Sequence, residues 1–355
     1  MKSNSKHFLA LVSVLLLTAA FSVAASAQEN NQHNQNTLVR LNETQLLFER
    51  LRDVANIDIV RITGPSLAVL PEDTGCEFVD TLKANPLIFH SYVFFPKEVK
   101  QGRKYPLIVF PHGGIHASFS TGMTHVLREL LAQGYIVVAP DYRGSTGYGR
   151  GLYEAIDYGG LENDDVLAAR DYMVENYSVV DPDRVGIMGW SHGGMITLMN
   201  LLNHPDKYAC GYAGVPVSDV AYRLGYQEKS YTKNFTQPYH VGATPQEDPE
   251  AYARRSPVTY APLLSRPLMI TTCVNDDDVS WTEVNRMIEA LKAADKDFEY
   301  KIYPWQPGSH QFERLDSSSC SDIRFDTYKF LARYLKPAHP FRNVNELRKA
   351  GYMYY

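Results

Sequence analysis

Residues 189–195 read GWSHGGM, placing Ser191 two positions after one glycine and two before another. Chance alone produces this spacing roughly one time in ten in a chain of such length, so context has to decide. The serine follows the apolar run DRVGIM and precedes ITLMNLL, the strand-turn-helix setting that a nucleophile elbow requires. Gly189, Gly193 and Gly194 relieve clashes around the strained serine, and the following helix aims its N–H groups at a reacting oxygen.

A serine hydroxyl needs a base, and the base needs an orienting carboxylate. In this type of fold the chain order is Ser, acid, His. CVNDDDVS supplies Asp276, Asp277 and Asp278 after one apolar run, and PWQPGSHQF supplies His310 after the next. His90 falls within a strand, His204 past a helix and His339 after the last expected helix, so none has an equal claim; His240 is the fallback base. PHGGIHAS at 111–118 offers Gly114 and Ile115 for an oxyanion hole, which the backbone amide of His192 completes.

The elements needed to position these groups are legible as alternation. Strands are expected over 87–95, 106–110, 135–139, 184–188, 209–214, 267–272 and 298–303, with helices over 124–133, 164–177, 280–294 and 321–335. Apolar strands separated by amphipathic helices imply an α/β fold: a mostly parallel, doubly wound sheet with helices on both faces. The catalytic loops then lie at the carboxyl ends of the strands. From about 217 to 262 the alternation stops and tyrosines accumulate, which suggests a lid-like excursion whose Tyr222, Tyr226 and Tyr231 line the substrate site. Arg143 with Glu162, Asp164 and Asp165 suggests an ion pair anchoring a loop near the site.

Lys2 and Lys6, an apolar run from Phe8 to Val23 and Ala25-Ser26-Ala27 have the layout of a cleaved signal peptide over 1–27, hence a secreted or periplasmic protein. The polar tract at 28–36 reads as a linker and 38–54 as an amphipathic helix, together an extension reaching residue 85 before the catalytic domain at 86–340; a tail follows at 341–355. An apolar content of 45% supports a large core, and a net charge of −5 gives no reason to expect nucleic acid. No stable membrane association is expected once the signal is removed. Cys76, Cys210, Cys273 and Cys320 allow three disulfide pairings and the sequence does not choose among them. No C-x-x-C or H-E-x-x-H spacing appears, so neither metal nor cofactor is called for.

YPLIVFPHGG, DYRGSTGYGR, DPDRVGIMGWSHGGM, SPVTYAPLLSRPLMI and YPWQPGSHQF occur in order, and over roughly 92–337 the chain resembles the catalytic domain of the prolyl oligopeptidase family of serine peptidases. The resemblance implies an α/β-hydrolase fold. Its H-G-x-x-D-x-x-V pattern, here TCVNDDDV, selects Asp276 as the acid, although Thr272-Cys273 replaces His-Gly. Fewer than a hundred residues precede the core, leaving no room for the β-propeller that many members carry. The expected activity is a serine peptidase acting on short peptides through an acyl-enzyme on Ser191. The alternative is a carboxylesterase for small or carbohydrate-linked acyl esters, since both reactions use one triad.

Overall fold

The computed structural model describes residues 28, 31–66, 86–237, 240–312 and 314–351. The expected signal peptide, Cys76 and the last four residues lie outside them. A helix α1 occupies 31–51, so the tract at 31–36 is helical rather than a linker. Its first turns have short polar side chains that bond within the helix, Thr37 Oγ1 to His33 O at 3.0 Å and Gln32 to Asn36 at 3.0 Å.

The remaining elements follow in the order β1 (Ala55–Ser66), β2 (Pro86–Pro96), β3 (Tyr105–Val109), α2 (Thr124–Gln133), β4 (Ile136–Asp141), α3 (Arg150–Tyr153), α4 (Leu161–Asn176), β5 (Val180–Trp190) and α5 (His192–Asn203). Then come β6 (Cys210–Gly214), α6 (Val220–Tyr226), α7 (Lys229–Phe235), α8 (Pro249–Arg254), β7 (Leu268–Cys273), α9 (Trp281–Ala293), β8 (Glu299–Tyr303), α10 (Ser318–Leu335) and α11 (Val344–Gly351). The strands form one sheet in the order β1-β2-β4-β3-β5-β6-β7-β8. From β4 to β8 neighbouring strands are parallel, whereas β1 pairs with β2, and β2 with β4, antiparallel. This is the α/β-hydrolase arrangement. β1 was not expected, and the region assigned to a tail contains α11, whose Leu347 is fully buried.

Side-chain alternation divides the core between the two faces of the sheet. Leu107 and Val109 of β3 face one cluster, capped by Ala169 of α4, Ile196 and Leu198 of α5 and Ile288 of α9. Ile108 and Phe110 face the other, which takes Leu127 and Leu130 of α2, Leu331 of α10, and Leu47 and Leu51 of α1. Because β3, β4, β6 and β7 are covered on both faces, every residue in them is buried. On the second face Glu129 of α2 receives Arg324 through two 2.9 Å contacts and the Tyr328 hydroxyl at 2.7 Å. These bonds join α2 to α10 through a buried charge that would be costly alone.

Cys210, Cys273 and Cys320 are buried free thiols. Among the described residues no helix is long and apolar enough to cross a membrane.

Candidate active site

β5 runs into Ser191, which adopts φ 58 and ψ −122 before α5 begins at the next residue. That conformation costs a side-chain-bearing residue about 1–3 kcal/mol and has to be held by its surroundings. The Ser191 amide donates to Gly214 O at 2.9 Å, and Ser191 O accepts from Met195 N at 3.0 Å and Val217 N at 3.3 Å. The crossing of strand, turn and helix is too close for side chains: a Cβ on Gly189 would sit 2.4 Å from Gly193 O, and one on Gly193 would sit 2.4 Å from Pro111 O.

The turn between β7 and α9 separates the three aspartates. The Asp276 side chain is fully buried, and its two oxygens lie 3.0 and 2.9 Å from His310 Nδ1. Asp276 Oδ1 also accepts from the amides of Asp278 and Val279, each at 2.9 Å, which fixes the carboxylate plane. Asp277 instead accepts from Ser309 Oγ at 2.7 Å in an exposed position. The loop carrying His310 is pinned to the same turn, since Asn275 exchanges bonds with Gln306 at 2.8 and 2.9 Å and Ser309 Oγ lies 2.8 Å from Asn275 O. Asp276 is therefore the aspartate that holds the imidazole.

With Nδ1–H donating to Asp276, the lone pair of His310 is on Nε2. Ser191 and His310 line one cavity of about 320 Å³. No hydrogen bond joins Ser191 Oγ to Nε2, and catalytic bonds of this kind often tighten only in the Michaelis complex. Asp278 Oδ2 lies 3.7 Å from Nε2, and Asp278 Oδ1 accepts from Arg223 Nη2 at 2.6 Å. Burial disfavours the imidazolium, but the hydrogen bond and charge of Asp276, joined by the Asp278 charge, outweigh it and raise the His310 pKa above its usual value. Arg223 did not stand out in the sequence, and Asp278 did so only as a candidate for the triad acid.

The loop at 111–118 meets the nucleophile through Gly113, where an added Cβ would lie 3.5 Å from Ser191 Cβ. Gly114, at φ 74, lines the cavity, while the Ile115 side chain packs against the core and does not. The Tyr142 hydroxyl fixes this turn by donating to His112 O at 2.8 Å, with Gly114 O 3.3 Å away. Among the described residues nothing accepts a hydrogen bond from the amides of Gly114 or Ile115. The His192 amide is at the first turn of α5, while its ring is buried 3.3 Å from Glu162 Oε1. Arg143 pairs with Asp165 at 2.7 Å in full burial and donates to Pro65 O, so the anchoring role expected of this cluster falls to that pair. Asp164 takes no part in it.

The three tyrosines expected to line the substrate site do not reach this cavity. Tyr222 donates to Thr282 at 3.0 Å, Tyr226 to Glu283 at 2.5 Å, and Tyr231 accepts from Arg223 Nε at 2.8 Å. The hydroxyls of Tyr222 and Tyr226 tie the excursion to α9, and that of Tyr231 braces it internally against Arg223. His240 is likewise engaged elsewhere, with its Nε2 at 3.4 Å from His116 Nε2.

Sheet order, elbow and the Ser-Asp-His chain order together define an α/β-hydrolase. The chain belongs to the prolyl oligopeptidase family, whose profile matches residues 118–338, more than half of its length. It is 29% identical over 251 residues to human dipeptidyl peptidase 8, covering 67% of this chain and 27% of that protein. It is 30% identical over 255 residues to dipeptidyl aminopeptidase BIII of Pseudoxanthomonas mexicana, covering 69% and 36%. The chain thus spans about a third of the length of these relatives. An uncomplexed acylaminoacyl peptidase from Pyrococcus horikoshii superposes with a TM-score of 0.65 at 20% identity, covering 85% of this chain and 45% of that one.

Proposed function

We propose that this protein is an exported serine peptidase that cleaves short peptides through an acyl-enzyme on Ser191. One observation carries the reading: a buried Asp276 grips His310 Nδ1 at 2.9 Å while His310 and the strained Ser191 share a cavity. His310 Nε2 takes the Ser191 Oγ proton as Oγ attacks the scissile carbonyl, and Asp276 stabilises the imidazolium that forms. The amides of His192 and Gly114 receive the oxyanion. His310 then protonates the departing amine, and water, activated by the same imidazole, releases the acyl group. Short peptides are favoured by the likeness to relatives named as dipeptidyl peptidases, and export by the apolar segment and Ala25-Ser26-Ala27.

Turnover of a panel of chromogenic dipeptides against a short-chain aryl ester tests the substrate. Peptide cleavage that disappears in Ser191→Ala is the expected result. Strong ester turnover without any peptide turnover would overturn the peptidase reading in favour of a carboxylesterase. Export is tested by sequencing the mature amino terminus, with Gln28 expected.

A further inference from the structure

The cavity beside Ser191 has a floor of Phe110, Phe119 and Trp190, all at most 5% exposed, and Met123 and Ala117 continue its apolar wall. His310 and Gln311 bound it on one side, and among the described residues Asp278 is the one carboxylate at its rim. The described residues of the excursion at 217–262 contribute nothing to its lining. In acyl transfer the imidazole that removes the serine proton delivers it to the leaving group, so the leaving group has to lie on the His310 side of the nucleophile.

The wall is held in part by α1, which precedes the part matching the family. The Phe119 amide donates to Asp141 Oδ1 at 2.6 Å, and Phe119 O accepts from Arg40 Nη1 of α1. Arg40 and Asp141 are themselves a buried pair 3.6 Å apart, at 4% and 0% exposure. Arg40 also donates to the Tyr92 hydroxyl, and Tyr148 donates to Asp141 Oδ2 at 2.6 Å. Two residues on, the Thr121 amide donates to Glu43 Oε2, again of α1, at 2.7 Å. One buried ion pair thus grips both polar groups of the Phe119 backbone, and removing Arg40 would leave Asp141 with an uncompensated charge.

We propose that this cavity is the leaving-group pocket, that it takes an uncharged apolar side chain on the amine side of the scissile bond, and that Arg40 is a positioning residue for its wall. The proposal rests on the acyl-enzyme reading above. A volume of about 320 Å³ is within the range of small-molecule pockets, and a buried aromatic floor rewards burial of an apolar group.

Partitioning of the acyl-enzyme between water and added amines reads this pocket directly. Acetyl-enzyme is generated with p-nitrophenyl acetate, and capture by phenylalaninamide is compared with capture by glycinamide. Phenylalaninamide should capture the acetyl group about ten-fold more efficiently, the scale expected for burying an aromatic side chain. Ala117→Trp, which fills the cavity, and Arg40→Met, which releases its wall, should each bring the ratio of the two capture constants toward one. That ratio is internal to each enzyme, so loss of folded protein does not move it. Equal capture by the two amines in the wild-type enzyme overturns the pocket assignment, and an unchanged ratio in Arg40→Met overturns the positioning role. If the wild-type protein forms neither acetyl-enzyme nor a fluorophosphonate adduct at Ser191, the acyl-enzyme reading itself falls, and the pocket assignment with it.

Discussion

Replacing Asp278 with Asn removes a negative charge 3.7 Å from His310 Nε2 while leaving Asp276 on the other nitrogen. At that distance two unit charges interact by about 1 kcal/mol in water and about 4 kcal/mol at an effective dielectric constant of 20. The Asp278 side chain is 49% exposed, so the lower figure applies. The sign follows from the state favoured. Asp278 stabilises the imidazolium and helps raise the His310 pKa, whereas Arg223, which Asp278 now holds, lowers it. Removing Asp278 therefore frees the base at lower pH, and the released guanidinium acts in the same direction. Since about 1.4 kcal/mol is ten-fold, kcat/KM on the acid limb, taken relative to its own plateau, should rise about six-fold. A pH profile of kcat/KM on one peptide substrate measures this. An acid limb that stays in place or moves to higher pH would refute the electrostatic coupling of Asp278 to the base.

Asp276→Asn should lower kcat by about four orders of magnitude, because the imidazole loses its orienting carboxylate, while Asp277→Asn should cost less than about ten-fold; the reverse order would show that the turn is misassigned. Arg324→Met strands the Glu129 carboxylate, whose pKa burial already raises, and should destabilise the fold by about 3–5 kcal/mol in urea unfolding, whereas a loss under about 1 kcal/mol would contradict a buried charge held by that guanidinium.

The parallel half of the sheet was legible because full burial on both faces leaves unbroken apolar runs such as PLIVF and PLMITT. β1 was not, because it is an edge strand whose exposed positions interrupt its pattern with Asn56, Asp58 and Arg61. The start of α1 is a polar segment that extends the helix docked through Leu47 and Leu51, with His33 packed edge-on against Tyr153, and α11 docks onto the core through Leu347. Within the site, local spacing fixed the elbow and the order of acid and base. The choice of Asp276 over its neighbours depended on family register, and the structure gives the physical reason: only its carboxylate is buried against Nδ1. The hydroxyl partners of Tyr222 and Tyr226, Thr282 and Glu283, lie more than fifty residues away, a pairing that spacing does not encode. Arg223 escaped notice for the same reason, since its partner Asp278 lies 55 residues away.

The central claim is that Ser191 is a nucleophile activated by His310, and the most direct measurement is mass-spectrometric mapping of the adduct formed with a fluorophosphonate. One adduct on the peptide containing GWSHGGM is predicted, absent in Ser191→Ala and formed at least about a hundred-fold more slowly in His310→Ala, in line with the contribution of a general base. Labelling that persists in Ser191→Ala, or proceeds at the wild-type rate in His310→Ala, would contradict it.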